Sequence, residues 1–393
     1  MTAPLPKEPL GKWLSDVGQL SSSSATGEFS YIDLSSVDKD EKTIVLKLVQ
    51  RVSAEDAPSR ARQIVRSGDI LVSTVRPNLN GVAMVPAELD GAIASTGFCV
   101  LRSETERLDS KFLFHWVRSP QFIADMTRKA TGASYPAVSD RIIHESLIPF
   151  PDPSQQERIA TLLDKADGIL RKRREALKLA DEFLRSAFLD LFGDPVANPK
   201  GWSKDSFGNL GTLDRGKSRH RPRDEPTLYG GPHPFIQTGD VANCDGVVRR
   251  HTQTYSDFGL SQSRKWPAGT LAITIAANIG KTGVLGFDAC FPDSVVGFTA
   301  KPPISAEFIQ FWLGQIQNRL EETAPQSAQK NINLEILRDL PVPVPPEDLL
   351  KKFTALVLRT RESKQRQEAL LKESDLLFSS IQQRAFNGEL ASA

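Results

Sequence analysis

Arg215-Gly-Lys-Ser-Arg-His-Arg-Pro-Arg223 places five Lys and Arg within nine residues, with no acid among them. Flexible cations on a segment containing Gly and Pro suit contacts to phosphate, so Arg215, Lys217, Arg219, Arg221 and Arg223 are candidate phosphate contacts. A solvated charge run is the alternative. Two further sets of residues carry recognition chemistry. Arg76-Pro-Asn-Leu-Asn80 follows the apolar run Ile70–Val75, and Ala276-Ala-Asn-Ile-Gly-Lys281 follows Leu271–Ile275. Later in the chain come Thr131-Gly-Ala-Ser-Tyr-Pro136 and Gln326-Ser-Ala-Gln-Lys-Asn-Ile-Asn333. Arg, Lys, Asn and Gln are the side chains that pair with base edges, and Ser and Thr hydroxyls grip phosphate. The candidates are Arg76, Asn78, Asn80, Ser134 and Tyr135 in the first set, and Asn278, Lys281, Gln329 and Lys330 in the second.

Catalytic chemistry is poorly served. Gly280-Lys281-Thr282 ends like a phosphate-binding loop, but Ile275 stands where the pattern requires its first Gly. Phe207-Gly-Asn-Leu-Gly211 is similar to a methyl-donor loop, yet no Asn/Asp-Pro-Pro-aromatic segment accompanies it to hold a flipped base. Nor does an acidic cluster with a Lys suggest a nuclease centre. His233, Cys244, His251 and Cys290 lack the close paired spacing of a structural zinc site, and ordinary packing and surface roles suit them better. Ser-His-Asp combinations are too common here to single out a triad.

The elements that must position the candidates are written twice. Leu147-Ile-Pro-Phe-Pro-Asp-Pro-Ser154 leads into a helical pattern that closes at Phe192-Gly-Asp-Pro195, and Leu340-Pro-Val-Pro-Val-Pro-Pro346 leads into one that closes at Phe386-Asn-Gly388. Pro149 and Pro343 are 343 − 149 = 194 residues apart, as are Phe192 and Phe386. A repeat of this kind organises the whole molecule. Weaker matches keep the same order: Trp13 with Trp202, Tyr31-Ile32 then Ser36-Val37 with Phe235-Ile236 then Asp240-Val241, and Ser67–Thr74 with Ala268–Ile275. A helical segment Lys111-Phe-Leu-Phe-His-Trp-Val117 matches Ala306-Glu-Phe-Ile-Gln-Phe-Trp-Leu313. Each copy reads as an α+β domain, with short β-type runs broken by Gly, Pro and Asn. The expected organisation is a domain over 1–153, a helix over 154–194, a second domain over 195–346 and a second helix over 347–393.

From Ile159, steps of 4 and 3 land on Leu163, Ala166, Leu170, Arg173, Leu177, Ala180, Leu184, Ala187 and Leu191, so nine of ten positions are apolar or Ala. Persistence over more than four heptads predicts a coiled-coil seam, with Ser154 as N-cap and Glu157 completing a capping box. Shifted by 194, the same walk reads Phe353, Val357, Thr360, Lys364, Gln367, Leu371, Ser374, Phe378, Ile381 and Ala385, apolar at its ends and polar in its middle. The two helices are expected to pair antiparallel, with further partner helices covering them. Arg171-Lys-Arg-Arg174 reads as a solvated outer face with Arg173 snorkelling, direct DNA contact being the alternative.

A chain of 393 residues, 39% hydrophobic and 25% charged, suits two or three globular domains. The net charge of +1 does not announce a nucleic-acid binder. Three scattered cysteines do not form a disulfide framework, and no apolar run approaches a membrane span. Without a signal-peptide pattern, a cytoplasmic location is expected.

Taken together, Ile148-Pro-Phe-Pro-Asp-Pro-Ser-Gln-Gln-Glu-Arg-Ile-Ala160, Leu191-Phe-Gly-Asp-Pro195 with Asn198-Pro-Lys-Gly-Trp202, Gln329-Lys-Asn-Ile-Asn333 with the Pro run, and Ala385-Phe-Asn-Gly-Glu-Leu390 resemble the specificity subunits of type I restriction-modification systems. The resemblance covers nearly the whole chain. It implies two target-recognition domains separated by two helices, each domain reading one half of a bipartite double-stranded DNA site. It also implies a subunit without catalytic activity of its own. Two modification subunits would methylate adenine with S-adenosylmethionine, restriction subunits would join them, and ATP and Mg would be bound by those partners. A self-contained DNA methyltransferase or nuclease fragment, and a coiled-coil protein scaffold, are the alternatives.

Overall fold

The computed structural model of the chain describes residues 5–20, 27–103, 106–276, 279–323 and 332–390. These fall into two compact units, residues 1–175 with 368–393, and residues 176–367. Each unit holds one globular copy and half of each long helix.

The long helices are Pro153–Phe192 and Glu347–Phe386, 40 residues each, or roughly 60 Å at 1.5 Å per residue. The cap of the central helix differs from expectation. Asp152 accepts from the Gln155 N–H at 3.0 Å, and the Ser154 hydroxyl donates to that same carboxylate at 2.6 Å. Ser154 therefore lies inside the first turn, because Pro153 is tolerated at the first helical position and moves the cap one residue upstream of it. At the far ends, Gly193 and Gly388 take φ of +78° and +84°, the left-handed conformation that stops a helix.

Every seam position of the central helix is buried or half-buried, with Ile159, Leu163, Leu170 and Leu184 at most 5% exposed. The C-terminal helix follows the same rule, including its polar middle. Lys364 is 8% exposed. Its ammonium donates to Asp181 of the central helix at 2.6 Å and to Asp245 of the second domain at 2.7 Å. Burial alone would lower the Lys364 pKa, but the two carboxylates outweigh it and hold it above the ordinary value. Arg171 and Arg174 are also engaged, with Asp167 at 2.6 Å and with Asp375 at 3.1 Å.

The two domains share a strand plan. In the first, Glu28–Ile32 runs parallel to Ile93–Ser95, and Ile70–Ser73 lies between Phe98–Leu101 and Val82–Met84. In the second, Tyr229–Phe235 runs parallel to Ala289–Cys290, and Leu271–Thr274 lies between Val295–Ala300 and Thr282–Leu285. Ile70–Ser73 and Leu271–Thr274 are buried along their whole length, as continuous apolar runs require when both faces are covered. Each domain is closed by its Pro-rich segment. Leu147–Pro149 pairs with Lys7–Pro9, and Pro341–Pro343 pairs with Lys204–Ser206.

One helix of each domain packs on the long helices. Ser110–Val117 starts at Asp109, which accepts from the Phe112 N–H. Phe112 and Trp116 meet Phe386 edge-to-face at 5.4 and 5.1 Å. Lys111 and His115 both reach Asp164, at 2.9 and 2.8 Å, and Arg118 reaches Asp167 at 2.7 Å. In the second unit Ala306–Thr323 does the same work: Phe308 meets Phe192 at 5.1 Å, and Glu307 pairs with Arg361 at 3.6 Å.

Candidate nucleic-acid interface

The loop that carries the first set of candidates leaves the buried strand Ile70–Ser73 and turns through two left-handed residues, Arg76 at φ +50° and Asn80 at φ +46°. Such φ values are costly for a side-chain-bearing residue, so the turn must be held by its neighbours. The segment 131–138 supplies the hold. Arg76 N–H donates to Pro136 O at 2.7 Å, Val138 N–H donates to Thr74 O at 2.9 Å, and Thr131 and Ala137 exchange two bonds. Gly132, at φ +103°, allows the segment to fold back; a Cβ there would lie 3.0 Å from the Tyr135 carbonyl.

Chain positions nearly sixty residues apart thus form one surface. The Arg76 guanidinium lies 4.8 Å from the centroid of the Tyr135 ring, and that ring is 69% exposed. Stacking fixes the plane of the guanidinium fork while leaving its N–H groups to solvent. Asn78 and Ser134 are exposed beside them in sequence. Asn80, expected among the readers, faces inward instead. It is 8% exposed, its amide donates to Val117 O at 2.9 Å, and its own carbonyl accepts from Lys42 at 2.6 Å. Its amide anchors the loop, because a left-handed residue ending the turn aims its side chain at the domain helix. Burial, with Arg118 nearby, lowers the Lys42 pKa to about 8.

In the second domain the loop after Leu271–Thr274 closes on itself. Thr274 N–H donates to Lys281 O at 2.9 Å, and Lys281 N–H donates back to the Thr274 hydroxyl at 3.1 Å. Lys281 is exposed, with its ammonium 3.5 Å from Gln317 Oε1. Ile332 N–H donates to Ile275 O at 3.0 Å, matching the Val138 to Thr74 bond of the first domain, and 332 − 138 = 194. The returning segment therefore joins the loop at the same place in both copies. Asn278, Gln329 and Lys330 lie outside the described residues.

The basic run begins at the end of an edge strand, Gly211–Arg215, paired with Val295–Ala300. Arg215, Lys217, Arg219, Arg221 and Arg223 are all exposed. They are not equivalent. Arg221 donates to the carbonyls of Ser218 and His220, and Arg223 makes two bonds to Asp293 at 3.0 and 2.9 Å. Arg215, Lys217 and Arg219 have no ion-pair partner among the described residues, which leaves their charges available to phosphate.

Sequence reasoning passed over the charged contacts that seat each domain on its helix. A signal was present: the 194-residue shift places Asp167 on Arg361, a reversal of charge at one helix position.

Residues 26–179 and 199–373 each match the model of the type I restriction modification DNA specificity domain. The chain belongs to that family. It is 20% identical to the type I restriction enzyme HindI specificity subunit of Haemophilus influenzae, over 86% of this chain and 90% of that one. It is 21% identical to the EcoBI specificity subunit of Escherichia coli, over 76% and 69% of the two chains. A chain from a solved structure concerned with complex assembly and conformational transition of the type I restriction-modification system covers 98% of both chains, with a TM-score of 0.61 and 25% identity. The type I S subunit of M. genitalium has the same fold, with a TM-score of 0.59 over 97% and 96% of the chains at 15% identity.

Proposed function

We propose that this chain is the DNA-recognition subunit of a type I restriction-modification complex, with each domain reading one half of a bipartite target. The observation that carries the reading is the duplicated loop pair. The same buried strand in each copy delivers a loop that is tied to a returning segment by an equivalent backbone bond, yet the two loops carry different side chains. One scaffold with two chemistries is what reading two different short sequences needs. In the first domain the Arg76 fork, steadied by Tyr135, suits the O6 and N7 acceptors of guanine in the major groove, with Asn78 and Ser134 adding amide and hydroxyl contacts. In the second, Asn278, Lys281, Gln329 and Lys330 would play that part. Arg215, Lys217 and Arg219 supply phosphate contacts that give affinity without sequence preference.

The partners are two modification subunits and the restriction subunits that join them. Adenine methylation from S-adenosylmethionine, and the steps needing ATP and Mg, belong to those partners, and this chain positions them on DNA. Among the described residues no helix is long and apolar enough to cross a membrane, and a cytoplasmic site of action fits the substrate.

Methylome profiling of cells carrying Arg76→Ala or Lys330→Ala tests the reading. A single lost bidentate contact costs about 1–3 kcal/mol of discrimination, so each variant should relax preference in one half-site and leave the other unchanged. Equal loss in both half-sites would show that these residues serve folding or general DNA affinity.

A further inference from the structure

Two related domains sit on two related helices, and the ion pairs that seat them have opposite polarity. In the first unit the domain supplies cations and the helix supplies anions: Lys111 to Asp164 and Arg118 to Asp167. In the second the domain supplies anions and the helix supplies cations: Glu307 to Arg361 and Asp245 to Lys364. The reversal shares one equivalent position on the domain side and one on the helix side. Lys111 and Glu307 each precede the matched Phe of the domain helix, and Asp167 and Arg361 are 361 − 167 = 194 residues apart.

Two other contacts keep the same sense in both units. Phe112 meets Phe386 as Phe308 meets Phe192, at 5.4 and 5.1 Å. Between the helices, Asp375 accepts from Arg174 and Asp181 accepts from Lys364, and the two acids are again 375 − 181 = 194 residues apart. These shared contacts would accept either domain on either helix, while the position of Phe188, stacked on Phe308 and Phe311, is taken in the first unit by Gln382, which donates to His115 O. The charges at the domain–helix contact set one arrangement against the other by repulsion.

We propose that this reversed polarity is an address, which assigns each recognition domain to the helix that follows it and excludes the other arrangement. Arg118, Asp167, Glu307 and Arg361 are its positioning residues. Their side chains are 8, 9, 13 and 13% exposed, so a like-charge encounter there is poorly relieved by water. Burial alone would raise the Asp167 pKa, but Arg118 and then Arg171 outweigh it and hold the carboxyl below its ordinary value. At the same helix positions, the first domain set on the C-terminal helix would bring Arg118 against Arg361, with Lys111 facing Leu358. The second domain set on the central helix would bring Glu307 against Asp167, with Asp245 facing Leu170. Repulsion against the wrong arrangement is one of the means by which related surfaces become specific. The two recognition domains are therefore not interchangeable by position unless the helix charges move with them, whichever loop residues touch DNA.

The test uses the full chain in an Arg171→Gln background, which removes the second cation from Asp167. Arg118→Asp and Asp167→Arg are made singly and together, and hydrogen exchange is followed over residues 110–117. Each single inversion should raise local opening by roughly tenfold or more, and the double inversion should return it to within about threefold of the parent. A second chain replaces residues 199–344 with a copy of 5–150, on the native C-terminal helix or on one carrying Leu358→Asp and Arg361→Asp, which reproduce Asp164 and Asp167. Protection of the transplanted domain helix is expected only on the recharged helix. A double inversion as open as the single ones, or equal protection on both helices, overturns the proposal.

Discussion

Phe386 packs edge-to-face on Phe112, with ring centroids 5.4 Å apart and planes at 65°. Phe192 stands in the same relation to Phe308, at 5.1 Å and 78°. The last turn of each long helix is thus an anchor for the domain helix in its unit. Phe386 is 3% exposed and also touches Trp116, so Phe386→Ala leaves a cavity that the rigid helix cannot close. The expected loss is about 3–5 kcal/mol in the stability of the first unit. Urea unfolding measures it, with hydrogen exchange showing the gain in opening at residues 110–117. A loss under about 1 kcal/mol would mean that the contact is dispensable.

The basic run should behave unevenly in DNA binding. Arg215→Gln, Lys217→Gln and Arg219→Gln should each weaken binding to all sequences and lower the slope of log affinity against log salt by roughly one. Arg221→Gln and Arg223→Gln should change it less, since those side chains are already held by loop carbonyls and by Asp293. Titrations at several salt concentrations decide the matter. An unchanged slope for the first three would remove the run from the interface.

Mild acid should loosen the first unit selectively. His115 is fully buried, its Nε2 lies 2.8 Å from Asp164, and its Nδ1 has no hydrogen-bond partner among the described residues. Burial depresses its pKa below the usual 6.5, and Arg118 adds to the effect, against the pull of Asp164 and Asp167. As pH falls, the unfolded chain takes up the proton first. The stability contributed by neutral His115 is therefore complete above pH 6.5 and is lost as pH falls from there through the folded pKa. The matched residue of the second domain is Phe311, which has no such titration. His115→Phe should remove the pH dependence in this window, as read by unfolding midpoints between about pH 7 and pH 5. An unaltered profile would place the sensitivity elsewhere.

Helix length should set the number of base pairs between the half-sites. A seven-residue insertion after Glu175, matched by one after Ala369, keeps the seam in phase and lengthens each helix by about 10 Å, roughly three base pairs of B-DNA. A two-residue insertion turns the distal seam by about 200° and should abolish function. Methylome profiling checks the first variant, where unchanged half-sites should appear with a longer spacer. An unchanged spacer would separate helix length from target geometry.

By itself the sequence determined the duplication, the two long helices and their seam, because a repeat of 194 residues and an apolar period of 3.5 are properties of the chain alone. It also placed the candidate loops after strands, since the β-type runs at Ile70 and Leu271 are plain. Only the tertiary structure decided what the polar side chains do. Lys364 reads as a flaw in a seam until Asp181 and Asp245 are seen to meet its ammonium. Asn80 reads as a base-reading amide until the left-handed turn at its own position aims it at Val117. Arg76 gains its platform from Tyr135, and Asp167 its partner from Arg118, both across tens of residues of chain. Apolar residues declare their place through periodicity, whereas a charge or an amide becomes structural or functional only through the partner that folding brings within about 3 Å.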